Sequence, residues 1–191
     1  MIVVRLQTVV SREVAALTPA VVTVGSIHAG TDPNIIPDRA VIQLNVRTYD
    51  DDARSRVLAA VERIVTAECQ ASGTPVPPEI EKITSFPPTV NDDAVTRRVA
   101  EAFAGYFGDD AHTVDVQTAS EDMSKIPGAF GVPFTYWGIG GSDPALFATA
   151  DGVPVGHVPV NHSPHFAPVI QPTLDTGVSA LVVASLAWLA D

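Results

Sequence analysis

Positive charge is scarce in this sequence. Lys82 and Lys125 are its only lysines, and neither lysine nor arginine follows Lys125. Against 11 basic residues stand 22 acidic ones, for a formal net charge of −11. A surface this acidic repels phosphate backbones, which argues against nucleic-acid binding and leaves no polybasic patch for a membrane surface. Cysteine is nearly absent as well. Cys69 stands alone, so neither a disulfide framework nor a cysteine-based zinc cluster is expected. No apolar run approaches the ~20 residues of a membrane span, and the segment at Met1 lacks a signal peptide's basic start and cleavage site. What is present is a chain of 191 residues, 46% hydrophobic and 17% charged. That is length for one domain or two small ones, and apolar enough for a core. The expectation is a soluble, acidic, cytoplasmic globular protein that binds neither nucleic acid nor membrane.

Periodicity gives the elements. Ile2, Val3, Leu6, Val9 and Val10 have helical spacing over residues 2–13, but no Ser, Thr, Asp or Asn precedes them as a cap. Val21–Ile27 and Ala40–Thr48 alternate as strands; in the second, Ala40, Ile42, Leu44 and Val46 share one face and Gln43, Asn45 and Arg47 the other. The connection HAGTDPNIIPD reads as an ordered loop. A helix is expected from about Asp51 to Ser72, with Val57, Leu58, Val61, Ile64 and Val65 on one face and Gly73 as its stop. Glu79–Ser85 is a weaker strand. Pro87 and Pro88 mark a boundary. Beyond it the sequence predicts a helix capped by Asn91 or Asp92 and closed by Gly108, strands at Thr113–Gln117 and Phe134–Ile139, and the loop ASEDMSKIPG between them. A Gly/Pro-rich stretch, Gly140–Pro172, leads to a last helix from about Thr173 to Leu189. The first part matches a ferredoxin-like plait without its first strand.

Several residues carry chemical interest. His157, His162 and His165 lie close together in PVGHVPVNHSPHF, and imidazole is the commonest neutral zinc ligand. Pro164 breaks helical geometry between the last two, so one ligand from this loop is easier to defend than two. Glu121 and Asp122 can bind a metal or act as an acid/base pair, or merely solvate a helix start capped by Ser120. Arg47, on the polar face of its strand, can grip a carboxylate bidentately or form an ordinary surface ion pair. Asn34 can offer its amide to a substrate oxygen or cap a turn. Neither HExxH nor any other complete ligand set occurs, and GIGG at 138–141 is not a dinucleotide-binding fingerprint.

Taken in order, the words LQTVVSRE at 6–13, VVTVGSIHAGTDPNIIPD at 21–38, LNVRT at 44–48, PPTVND at 87–92, SEDMSKIPG at 120–128, WGIGG at 137–141 and NHSPHFAP at 161–168 resemble the dizinc aminoacylase/carboxypeptidase group, in its hippurate-hydrolase-like amidohydrolase branch. Members of that group are about twice this length, with a dizinc catalytic domain interrupted by a ferredoxin-like lid that mediates dimerisation. The resemblance therefore implies an α/β (α+β) chain. Residues 1–86 would form a lid/dimerisation domain lacking its first strand, and residues 87–191 the C-terminal part of the catalytic domain. It implies that His162 is a metal ligand, that Asn34 and Arg47 hold the substrate's carbonyl and carboxylate, and that Glu121 supports the site from behind the ligands.

The group's Cys-Gly-His-Asp motif, its paired glutamates with the general base, its other metal histidine and a lid histidine are not found in this sequence. The expectation is thus an N-acyl amino-acid amidohydrolase at family level, zinc-dependent when complete, with metal weak or absent here and this chain inactive by itself. The expected partner is a second copy bound through the lid, or a separately encoded N-terminal half. The alternatives are a non-catalytic dimerisation module and the remnant of a degraded gene.

Overall fold

The computed structural model describes residues 1–119, 121–147 and 158–189. The chain forms two compact units, one of Met1–Pro88 with Thr118–Ser120, the other of Thr89–Gln117 with Glu121–Asp191.

In the first unit, helix α1 (Ile2–Thr8) has no side-chain cap and runs into a π-helical turn, Val9–Glu13. The sequence predicted one continuous helix here. The Ser11 hydroxyl donates to the Gln7 carbonyl at 3.3 Å, a local bond that competes with the regular backbone ladder. Strands β1 (Ala20–Ala29) and β2 (Ala40–Thr48) pair antiparallel, with Val22 opposite Val46 and Val24 opposite Leu44. A one-residue irregularity at Gly25 shifts the register between Val24 and Ser26. Helix α2 (Asp51–Ala71) is capped by the Asp50 carboxylate, which accepts the Ala53 N–H at 2.6 Å.

The core of this unit lies between helices and sheet. Leu6, Val9 and Val57 are fully buried, joined by Ala60, Val61 and Ile64, with Val22, Val24, Leu44 and Val46 packed against them from the sheet. Positions 53, 57, 60, 61 and 64 make the buried stripe of α2, and Leu58, one step round the helix, is exposed rather than buried as expected. Glu79–Ser85 is not a strand. Ile80 and Ile83 lie three residues apart, so an extended chain cannot turn both to one apolar face, and both are exposed.

In the second unit, Asp92 caps helix α3 (Asp93–Phe107) by accepting the N–H groups of Ala94 and Val95. Asn91 does something different: its carboxamide accepts the Tyr136 N–H at 2.7 Å and donates to the Tyr136 carbonyl at 3.0 Å. A side chain thus stands in for a neighbouring strand. Phe134–Ile139, expected as a strand, makes no ladder among the described residues, and neither does Thr113–Gln117. The loop expected at 119–128 contains a short helix, α4 (Lys125–Phe130), whose Pro127 falls in the first turn, where a missing N–H costs nothing.

Helix α5 (Thr173–Leu189) packs on α3. Arg98 of α3 donates from Nε to the Ala187 carbonyl at 2.6 Å and lies 4.2 Å above the Trp188 ring, closing the last turn of α5. Ala180 and Ala184 are buried, whereas Leu174, Val178, Leu181, Val182, Leu186 and Leu189 are exposed. Among the described residues no helix is long and apolar enough to cross a membrane.

Candidate functional site

The face of the sheet turned away from the helices is polar. Because side chains alternate along a strand, Gln43, Asn45 and Arg47 of β2 share it, opposite Ser26, Thr23 and Val21 of β1. Arg47 is anchored twice within the unit. Its Nε donates to Asn45 Oδ1 at 3.1 Å, and its Nη1 donates to the Thr118 carbonyl at 2.7 Å. Nη2 has no partner among the described residues. The surface ion pair expected as the ordinary role of this arginine is not formed, since the two ion pairs found among the described residues are Arg5–Glu68 and Arg63–Glu13. A guanidinium held at Nε and Nη1 with Nη2 free can receive a carboxylate oxygen at Nη2.

Asn34 lies in the loop between the strands. Gly30 opens this loop at φ 68°, a conformation that suits glycine, and the Pro37 ring lies against it. The Ile35 N–H donates to the Asp32 carbonyl at 3.3 Å, so Asn34 sits inside a turn. Its side chain is exposed and makes no hydrogen bond among the described residues, so it is not the turn's cap. Arg47 stands seven residues along β2 from the loop end, on the order of 20 Å at strand rise. No hydrogen bond connects the two side chains.

His162 turns the chain through φ 71°, the only described non-glycine residue with positive φ. Such a backbone marks a position that its surroundings hold against intrinsic preference. Here the Ser163 N–H donates to the Val160 carbonyl at 3.0 Å, the Phe166 N–H to the Ser163 carbonyl at 3.1 Å, and the His165 N–H to Ser163 Oγ at 3.2 Å. Downstream, the Val169 N–H donates to the Gly141 carbonyl at 2.9 Å, and a Cβ on Gly141 would lie 3.2 Å from Pro168 Cβ. Gly141, the last glycine of GIGG, thus lets the two segments approach, a role that the sequence pattern did not reveal. His157 and Ser120 lie outside the described residues. Glu121 is exposed and makes no side-chain hydrogen bond among the described residues, while the Asp122 carbonyl accepts the Lys125 N–H at 3.0 Å.

The metal reading meets a plain test. A catalytic zinc takes three protein ligands or more, and among the described residues no three His, Cys, Asp or Glu side chains gather around a common point. The described residues do not by themselves fit a metal centre, and no reaction step is derived through one. The candidate residues are divided between the units: Asn34 and Arg47 lie in the first, Glu121 and His162 in the second.

The peptidase dimerisation domain family matches residues 3–72, the segment that folds as α1, β1, β2 and α2. The chain is 35% identical over 144 residues to an N-acetyl-L-cysteine deacetylase of Bacillus subtilis, a match covering 68% of the chain and 31% of the relative. It is 33% identical over 109 residues to a hippurate hydrolase of Campylobacter jejuni, covering 57% of the chain and 28% of the relative. The chain belongs to the amidohydrolase and carboxypeptidase family that carries the peptidase dimerisation domain. A crystal structure described as an aminohydrolase from methicillin-resistant Staphylococcus aureus shares the fold, with a TM-score of 0.69 at 24% identity, covering 97% of this chain and 43% of that one. This family chain therefore spans about a third of the length of the curated relatives it matches. Enzymes of the family are generally metal-dependent.

Proposed function

We propose that this chain supplies the substrate-recognising lid and part of the catalytic domain of a zinc-dependent amidohydrolase that splits N-acyl amino acids into a carboxylate and an amino acid. Residues 1–86 are the lid and residues 87–191 the C-terminal share of the catalytic domain. Arg47 receives the substrate's free carboxylate, Asn34 donates its amide N–H to the scissile carbonyl, His162 provides one metal ligand, and Glu121 supports the site from behind. The remaining ligands and the base come from outside this chain, so the chain is inactive alone. The partner is a second copy through the lid or a separate N-terminal half, and the setting is the cytoplasm.

The observation that carries this reading is the Arg47 guanidinium, fixed at Nε and Nη1 with Nη2 free, on the domain matched by the dimerisation family. It is supported by relatives whose names describe hydrolysis of acylated amino acids. Co-expression with the N-terminal half of a full-length relative tests it. The reading expects a complex that hydrolyses N-acetylcysteine or hippurate with zinc, and loss of that activity in Arg47→Ala. Neither complex nor hydrolysis overturns it. A second reading, a non-catalytic dimerisation module, is favoured by the family match being confined to residues 3–72, and predicts a stable dimer with no hydrolysis under any complementation.

A further inference from the structure

Asn45 and Arg47 are two residues apart on one strand, so their side chains leave the same face of the sheet as neighbours. Asn45 Oδ1 accepts from Arg47 Nε at 3.1 Å, and the Thr118 carbonyl accepts from Nη1 at 2.7 Å. These acceptors bear on how a carboxylate can approach. A guanidinium offers a carboxylate two forks, one from Nε with Nη2 at its side and one from Nη1 with Nη2 at its end. Asn45 occupies the Nε–H, which closes the side fork. Of the two Nη2 donors, both free among the described residues, one lies on that closed side and the other points to the end of the side chain. Asn45 is a neutral acceptor, so it fixes the guanidinium without neutralising the charge that a carboxylate needs. An aspartate at that position would fix it and neutralise it together.

We propose that Asn45 is a positioning residue: it holds the Arg47 guanidinium so that a ligand carboxylate is received end-on through Nη2, and it selects ligands whose carboxylate can arrive from that direction. The proposal rests on the reading of Arg47 as the carboxylate receptor. Arginine carries large side-chain freedom, and a side chain already held loses less of it on binding. Asn45 acts through Arg47 and touches no ligand.

The test uses the full chain and two readouts. The first is the Arg47 Nε–H signal by nuclear magnetic resonance, assigned by its loss in Arg47→Lys. In the wild type it exchanges slowly with water; in Asn45→Ala it exchanges faster, and in Asn45→Asp, which restores the acceptor, it is slow again. The second is titration with N-acetylglycine. Asn45→Ala weakens binding roughly three- to tenfold, the range expected for freeing one long side chain, and adds nothing to the loss in an Asn45→Ala/Arg47→Ala double variant. Unchanged Nε–H exchange in Asn45→Ala overturns the proposal, as does wild-type binding in Asn45→Ala when Arg47→Ala has lost it. If Arg47→Ala binds like the wild type, or if the wild-type Arg47 signal does not respond to ligand, the Arg47 reading itself fails, and Asn45 positioning of a receptor fails with it.

Discussion

Truncating Leu6 to alanine should remove a large part of the first unit's stability. Leu6 is fully buried in a cluster with Val9, Val57, Ala60, Val61 and Ile64, and Ala53 is the one other buried apolar residue of the unit among the described residues. Deleting a buried leucine down to alanine costs about 2–5 kcal/mol, the transfer term plus the cavity. A unit of this size has a total stability on the order of 5–10 kcal/mol, so the loss is about a fifth of it or more. With a urea m-value of roughly 1–1.5 kcal/mol/M for a small domain, the midpoint should fall by about 1.3 M or more. Leu17→Ala is the control. Leu17 is 97% exposed, and a surface truncation of this kind stays within about 0.5 kcal/mol. Both tryptophans, Trp137 and Trp188, belong to the second unit, so their fluorescence does not follow this transition. Hydrogen exchange of the α1 and α2 peptides, measured across urea concentrations, does. Equal midpoints for Leu6→Ala and Leu17→Ala would refute the assignment of the core.

Three further outcomes follow from named contacts. Asp92→Ala removes the acceptor for two α3 N–H groups and should destabilise the second unit by about 1 kcal/mol, read as a lower thermal midpoint by tryptophan fluorescence. Gly141→Ala places a methyl 3.2 Å from Pro168 Cβ, so the Val169 amide, which donates to the Gly141 carbonyl, should exchange faster while those of α3 do not. The exposed apolar side chains of α5 and the dimerisation domain together predict self-association of the isolated chain; light scattering that shows a monodisperse monomer at high concentration would count against it.

Local pattern made much of the fold legible, and long-range partners account for the rest. The cap of α3 at Asp92, the stop of α2 at Gly73 and the end of α3 at Gly108 are written in adjacent residues, and they lie where the sequence places them. Strand β2 matches its alternation from Ile42 onward, while Ala40 at its start is exposed. The three segments wrongly expected as strands have strand-like composition, but a strand is made by its neighbour. Asn91 shows the difference: it was readable as a helix cap, whereas its use as a backbone mimic for Tyr136 depends on a contact 45 residues away. The same holds at the candidate site. Arg47 and Asn34 stand out by residue type and place, but the Asn45 and Thr118 anchors of Arg47 require the folded register. The positive φ of His162 is likewise invisible in sequence, because histidine does not signal it as glycine would.

The central claim is that this chain holds only part of a metal-dependent amidohydrolase site. Zinc content after purification in zinc and exhaustive dialysis tests it most directly, by elemental analysis of the wild type beside His162→Ala. The account predicts well under one zinc retained per chain. Two tightly held zincs per chain would contradict it.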